Sequence, residues 1–285
     1  MEEEKNNGIN EGKSMDVLER AQLLIVRVCD EGSEFYQRDI GKLKDFFVNQ
    51  LNEKDNETIN NEIIKKLVEW YLNFLNISIC LINRKGAIYA TVVALIEQKV
   101  PGFAESIIDK VLNRLQESLD DGQLIVPKFS LIFLGEIMNI GLINNFTFIT
   151  LLYDLVSEAE KNRSQSYDYY LYVVVSILPY LSSTLLDKSA LEFKSLMDNI
   201  RSIMSKRNKS YLPLLIACKN ADKTDFLEEL WNEFDSSIED EEFKVSGLVK
   251  PYELFSNDLK GIKQIKKNKK LFFHSKVSDS FFNLD

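Results

Sequence analysis

His274 is the only histidine in the chain, and it lies in a lysine-rich C-terminal stretch away from the apolar segments. A Ser-His-Asp or Cys-His mechanism needs a nucleophile, a base and an orienting group within hydrogen-bond reach of one another. One imidazole outside the helix-forming part of the chain does not supply that arrangement. Cys29, Cys80 and Cys218 are far apart, odd in number and each set in an apolar stretch. They read as buried free thiols of a reducing compartment, with neither a disulfide framework nor zinc spacing. Gly135 and Gly141 lie within and after an apolar helix and do not form a phosphate-cradling loop. Acidic neighbours such as Glu228-Glu229 and Asp240-Glu241 read as solvated helix faces. The residue types therefore predict a protein that is not an enzyme and carries no metal or cofactor.

Charge is the more informative chemistry. The formal total is −9, but it is unevenly spread. Asp222–Glu242 holds ten acidic residues against one lysine. Within it Asp225, Glu228, Glu229 and Glu233 are candidates for an acidic patch that receives arginine-rich peptides. Lys260–Lys270 holds six lysines and no acid. There Lys266, Lys267, Lys269 and Lys270 are candidates for a nuclear import signal or a phosphate contact. Arg201, Lys206, Arg207 and Lys209 form a second basic group that could face RNA or a partner. Each cluster also has a plainer reading: a solvated acidic helix face, a flexible basic tail, and cations placed at a helix C-terminus where the dipole favours them.

These clusters must be carried by helices. From Phe103 the apolar residues fall at Ile107, Ile108, Val111, Leu112, Leu115 and Leu119, one stripe of a half-exposed helix. The next segment, Pro127–Ile140, is apolar nearly all round with Glu136 as its only acid, so it must be covered on several sides. Pro127 marks its first turn and Gly141 its left-handed C-terminal position. Further helices are predicted over Met15–Cys29, Glu34–Leu51, Glu62–Ile82, Ala87–Glu97, Phe146–Lys161, Tyr167–Leu178, Pro179–Leu186, Ser189–Lys206, Tyr211–Lys219 and Asp225–Phe234. Asn83–Gly86 reads as a break, and a strand competes for Tyr172–Val175 because of its aromatic and β-branched residues. The last stretch, Lys250–Asp285, loses its clear period.

Many helices with short connections point to an all-α fold, an α-solenoid of antiparallel helical pairs of the HEAT and armadillo kind. The expected organisation is a disordered acidic tail over 1–14, a helical-repeat domain over 15–243, and a C-terminal extension with a basic tail over 244–285. A chain of this length can bury roughly three quarters of its unfolded surface, enough to fold without a metal or disulfide. The most apolar run, Leu171–Leu186, contains Pro179 and several serines and reads as a buried helix, so no membrane partner is expected.

In their order and spacing five segments resemble the N-terminal helical-repeat domain of the large subunit of the nuclear cap-binding complex. That domain belongs to the superfamily named after the middle domain of initiation factor 4G. The segments are KGAIYATVVALIEQK (Lys85–Lys99), FAESIIDKVLNRLQESL (Phe103–Leu119), DYYLYVVVSILPYLSSTLLDK (Asp168–Lys188), KRNKSYLPLL (Lys206–Leu215) and VKPYELF (Val249–Phe255). The element around Tyr169, Tyr172, Leu178, Pro179 and Tyr180 is the most distinctive of them. The resemblance implies a scaffold in the nucleus, with shuttling to the cytoplasm left open, that supports a small cap-binding subunit with an RNA-recognition motif. It also implies recruitment of mRNA-processing and export adaptors, with capped RNA engaged indirectly. Family members normally carry three such domains, and this sequence corresponds to the first. The family's basic N-terminal import signal has no counterpart in MEEEKNNGINEGKS, which leaves Lys266–Lys270 as the candidate substitute. The competing readings are a translation or RNA-decay scaffold that clamps an RNA helicase, and a nuclear transport receptor. The second would need repeated tryptophans, and only Trp70 and Trp231 exist.

Stacking a methylated guanine needs two facing aromatic rings open to solvent. Here the aromatics fall mostly on apolar helix faces. The chain alone is therefore expected to bind RNA weakly, through its lysine tail, and without preference for a cap. Titration with capped and uncapped oligonucleotides at two salt concentrations checks this: binding should fall steeply with salt, because lysine–phosphate contacts act by counterion release. Cap-dependent binding that survives the higher salt would overturn it.

Overall fold

The computed structural model describes residues 19–21, 23–28, 33–52, 65, 82–123, 125–161, 166–181, 190–207, 225–239 and 250–265. The acidic tail over 1–14, residues 62–81 apart from Lys65, the helix expected at Tyr211–Lys219, the three cysteines, His274, Lys209 and Lys266–Lys270 all lie outside the described residues. The described residues are helical or turn throughout, with no strand among them. The chain forms two compact units, one drawn from Met1–Val111 and Val249–Lys263, the other from Leu112–Leu248 and Gln264–Asp285.

The first unit holds helical residues at 19–21 and 23–28, a 3-10 turn at Ser33–Phe35, α1 (Tyr36–Asn52) and α2 (Ile82–Glu97). In α1, Tyr36, Ile40, Leu43 and Phe47 recur at helical spacing and are buried. Phe35 is partly exposed, because it precedes α1 in a 3-10 turn and falls off that stripe. The break expected at Asn83–Gly86 does not occur; α2 runs through it from Ile82. A glycine costs a helix about 1 kcal/mol relative to alanine. Burying the ten residues Ala87–Ile96, all of them covered, outweighs that cost. Thr91 Oγ1 donates to the Ala87 carbonyl at 2.7 Å, which satisfies a hydroxyl inside this apolar helix.

The Glu97 carboxylate closes α2 and opens α3 (Phe103–Asp120), accepting hydrogen bonds from the amides of Gly102 and Ala104 at 3.0 and 2.7 Å. The end of the chain lacks a clear period in sequence, yet Pro251–Leu254 forms a short helix that packs on α2 and α1 with Pro251 and Phe255 buried. The Gln98 side chain reaches the Asp258 carbonyl of the turns that follow it.

The second unit is built on α4 (Ile125–Ile140), buried at every position from Val126 to Met138 except Lys128. Gly141 ends it at φ 95°, with its amide on Met138 and the Leu142 amide on Ile137, a Schellman closure that needs the left-handed conformation. Gly135 lets α5 (Asn145–Lys161) approach closely: a Cβ there would lie 3.3 Å from Leu181 Cδ2 and 3.5 Å from Phe148 Cζ. Asn144 caps α5 by accepting from the Phe146 amide at 2.8 Å.

Helix α6 (Ser166–Val175) packs on α5 and α4, and Tyr169, Tyr170 and Val173–Val175 are fully covered. This burial decides against the competing strand at Tyr172–Val175, since β propensity measures fit to a half-buried sheet and no sheet is present among the described residues. One 3-10 turn, Leu178–Tyr180, follows with Pro179 in its first positions. Helix α7 (Ala190–Lys206) buries Phe193, Leu196, Met197, Ile200 and Ile203. Leu191 is 82% exposed, because two residues before Phe193 the helix has turned to its opposite face. Helix α8 (Phe226–Glu239) packs on α6, with Phe226 against Tyr172, and buries Leu227, Trp231 and Phe234.

Phe133, in the middle of α4, is 2% exposed. Phe133→Ala is expected to cost about 3–5 kcal/mol through lost burial and the cavity left behind. Urea unfolding measures it, and an unchanged midpoint would remove α4 from its place at the heart of the unit.

Candidate functional site

The two charge clusters of the sequence meet at the ends of α6, α7 and α8. Arg207 follows the last residue of α7, Asp168 lies in the first turn of α6, and Asp225 immediately precedes α8. The Arg207 guanidinium donates from Nε and Nη2 to the two carboxylate oxygens of Asp168, both at 2.6 Å. Its Nη1 lies 2.6 Å from Asp225 Oδ2. The three side chains are 4%, 2% and 6% exposed, so this is a buried ion triad with a fork-to-fork contact on one side. Burial works against the Arg207 charge. The hydrogen bonds to Asp168 and Asp225, with the attraction of both carboxylates, more than offset it and hold the guanidinium above the ordinary arginine range.

Helix dipoles favour every charge in the triad. A carboxylate sits at the N-terminal end of α6 and another at that of α8, while the cation sits at the C-terminal end of α7. Asp225 does more than pair: its Oδ1 accepts from the amides of Leu227 and Glu228, both at 3.1 Å, so it is the N-cap of α8. Tyr169, next to Asp168, donates its hydroxyl to the Gln123 carbonyl at 2.6 Å and meets Tyr170 edge-on at 5.2 Å. Burial, then the neighbouring Tyr170 and Asp120, push the Tyr169 phenol up, so it stays a donor.

These placements correct two assignments. Arg207, expected to face RNA or a partner, and Asp225, expected in an exposed acidic patch, are both inside the fold. The reason is mutual: each is the counter-charge that lets the other be buried. Arg201 is 37% exposed, yet it is engaged, donating to Asp235 at 2.7 Å and to Asp198 at 3.2 Å. The Asp235 hydrogen bond is the main cause that raises its already high pKa. Lys206 is exposed and donates to Ser202 Oγ at 2.9 Å. Lys209 and Lys266, Lys267, Lys269 and Lys270 fall outside the described residues.

On the acidic side, Glu228 is half-buried, while Glu229 and Glu233 are exposed one turn apart on the outer face of α8. A groove of about 260 Å³ runs beside them, lined by Arg201, Met204, Ser205, Arg207, Glu228, Trp231 and Asn232. The site thus offers carboxylates at its rim and a tryptophan and a methionine in its wall, a surface suited to a peptide. Among the described residues no group of three or more His, Cys, Asp and Glu side chains could hold a metal ion.

Sequence reading missed Asp168 and Asp235 as the partners of the two arginines. Asp168 in the first turn of α6 and Asp225 just before the capped α8 are visible signals of helix starts, whereas Asp235, inside α8, carries no such signal. Nothing in the sequence says that those starts converge on Arg207, 39 residues from Asp168.

The profile of the MIF4G domain matches residues 33–239. The chain is 24% identical over 209 residues to nuclear cap-binding protein subunit 1 of Aedes aegypti, a match covering 73% of this chain and 24% of that protein. It is 23% identical over 184 residues to nuclear cap-binding protein subunit 1 of Homo sapiens, covering 63% of this chain and 23% of that protein. The chain spans about a quarter of the length of the curated relatives it matches.

The triad makes a quantitative expectation. Arg207→Met keeps the stem but strands two buried carboxylates, and should cost roughly 3–5 kcal/mol. Adding Asp168→Leu should recover part of that loss, because the second change removes one stranded charge. Urea unfolding of the wild type, both single variants and the double variant measures the coupling, and strictly additive losses would show that the two residues do not act as a pair.

Proposed function

The chain belongs to the MIF4G domain family, and on that premise we propose that it is a non-enzymatic scaffold of the nuclear cap-binding complex. In this reading it supports a small cap-binding subunit with an RNA-recognition motif and recruits RNA-processing and export factors to capped RNA in the nucleus. The observation that carries the reading is the run of matching relatives, each called nuclear cap-binding protein subunit 1, aligned with up to 73% of this chain. Its nuclear address rests on the same relatives, with Lys266, Lys267, Lys269 and Lys270 as the proposed import signal. The helical-repeat domain drawn at 15–243 is the scaffold proper.

The described surface supports a protein-binding role more than direct RNA binding. Of the basic group at the end of α7, Arg207 is buried between two aspartates and Arg201 is paired with two more, so a phosphate would have to displace carboxylates to reach them. The exposed Glu229 and Glu233 favour a cationic partner, and an arginine-rich adaptor segment is the proposed occupant of the α8 face. Phe129, Phe133 and Phe148 are buried in the second unit and offer no open ring for a cap. The MIF4G match by itself would equally suit a translation or decay scaffold that grips an RNA helicase.

Affinity purification from nuclear extract, with the chain as bait, separates the two. Recovery of a small RNA-recognition-motif subunit and arginine-rich adaptors is expected, and Glu229→Lys with Glu233→Lys should lower adaptor recovery about tenfold without moving the melting temperature. Recovery of an RNA helicase in their place would reverse the assignment.

A further inference from the structure

A second groove lies in the first unit, between the helical residues at 19–21 and 23–28 and α1. It has a volume of about 390 Å³ and is lined by Arg20, Leu24, Lys42, Asp45, Phe46 and Asn49. The helical spacing explains it. Ala21, Ile25 and Val28 face the core from one helix, and Tyr36, Ile40, Leu43 and Phe47 from the other. Each helix then carries a second stripe, Arg20–Leu24 on one and Lys42–Asp45–Phe46–Asn49 on the other, spaced i, i+3, i+4 and i+7. These stripes are covered incompletely: Leu24 and Phe46 are half-buried, and Leu23 beside them is 72% exposed.

The rim is basic in a chain whose formal total is −9. Arg20 and Lys42 are exposed, and among the described residues neither is paired with a carboxylate. The one acid in the lining, Asp45, is answered by Lys44 at 2.9 Å. We propose that this groove docks an acidic amphipathic helix of a partner protein, with leucine-type anchors entering over Leu24 and Phe46 and glutamates or aspartates meeting Arg20 and Lys42. Two parallel stripes at helical spacing fit a helix laid into a groove, where anchors recur at i, i+3, i+4 and i+7. Charge complementarity selects the sign of the flanking residues.

RNA fits the site less well. Single strands stack successive bases on several rings, and the lining holds one, Phe46, with the Arg20 guanidinium 5.6 Å from its centroid. The chain's own first residues are acidic too, but MEEEKNNGINEGKS has only Met1 and Ile9 as apolar anchors, too few to fill an apolar floor.

The test uses the full chain and a fluorescein-labelled peptide of glutamates with leucines at i, i+3, i+4 and i+7, followed by fluorescence polarisation. A peptide with lysines in place of the glutamates and a short uncapped oligoribonucleotide are the comparison probes. The acidic peptide is expected to bind at least about tenfold more tightly than the lysine peptide. Arg20→Glu with Lys42→Glu should lower its affinity by at least about tenfold, as should Leu24→Asp separately, with the melting temperature of the charge-reversed variant unchanged. Equal binding of the two peptides, or no effect of the charge reversal, would overturn the proposal. So would tighter binding of the oligoribonucleotide that is lost in the same variant. If Glu2→Gln, Glu3→Gln, Glu4→Gln and Glu11→Gln together raise acidic-peptide affinity about tenfold, the groove's natural occupant is the chain's own leading segment and the partner assignment fails.

Discussion

Three helix ends in the second unit are held at one point by a single guanidinium. Arg207 leaves the C-terminal end of α7 and is clamped by Asp168 at the start of α6 and Asp225 at the start of α8. Moving such charges out of water is costly, and their attraction repays it only with good geometry and satisfied remaining groups. Here the bidentate fork to Asp168, the capping bonds of Asp225 and the three helix dipoles all act in the same direction. The consequence is positional. Helices α6, α7 and α8 cannot slide past one another without separating buried charges, so the surface built on α7 and α8 is held rigidly.

That rigidity matters because the surface has little else to define it. The outer face of α8 carries Glu229 and Glu233 on one helical row, beside a groove walled by Met204 and Trp231. Arg201, bridging Asp198 and Asp235, ties α7 to α8 a second time at a partly exposed position. A half-exposed pair of this kind is screened by solvent and adds less than the buried triad, but it fixes the rim. Scaffolds work by presenting fixed surfaces to several partners, and a surface whose two arginines are already paired leaves its outer carboxylates to select among them.

The first unit solves a different problem by packing. Its helix α2 is covered along Ala87–Ile96, with small residues that admit neighbours closely and one hydroxyl, Thr91, satisfied within the helix. Asp39 is buried beside Arg38, while other charges stay at the rim. Arg20 and Lys42 flank an apolar trough in place of pairing across it, which gives this unit a face of opposite sign to the α8 row.

The sequence by itself determined the helices. The stripe from Ile107 to Leu119, the all-round apolar run of α4 with Pro127 and Gly141 at its ends, and the stripe from Phe193 to Ile203 are local periodicities that burial then follows. It also determined the family, since the MIF4G domain match over residues 33–239 is read from sequence alone. What it could not determine is which charges face solvent. Arg207 and Asp225 look like neighbouring surface clusters when read along the chain, since a cation after a helix and an acid before one are ordinary solvated termini. The tertiary structure decided otherwise, as it did at Gly86, where a local break gave way to burial of the residues that follow. A charge becomes internal only when a partner of opposite sign arrives from elsewhere in the chain, and the arrival of Asp168 from 39 residues away is a long-range event that no local spacing encodes.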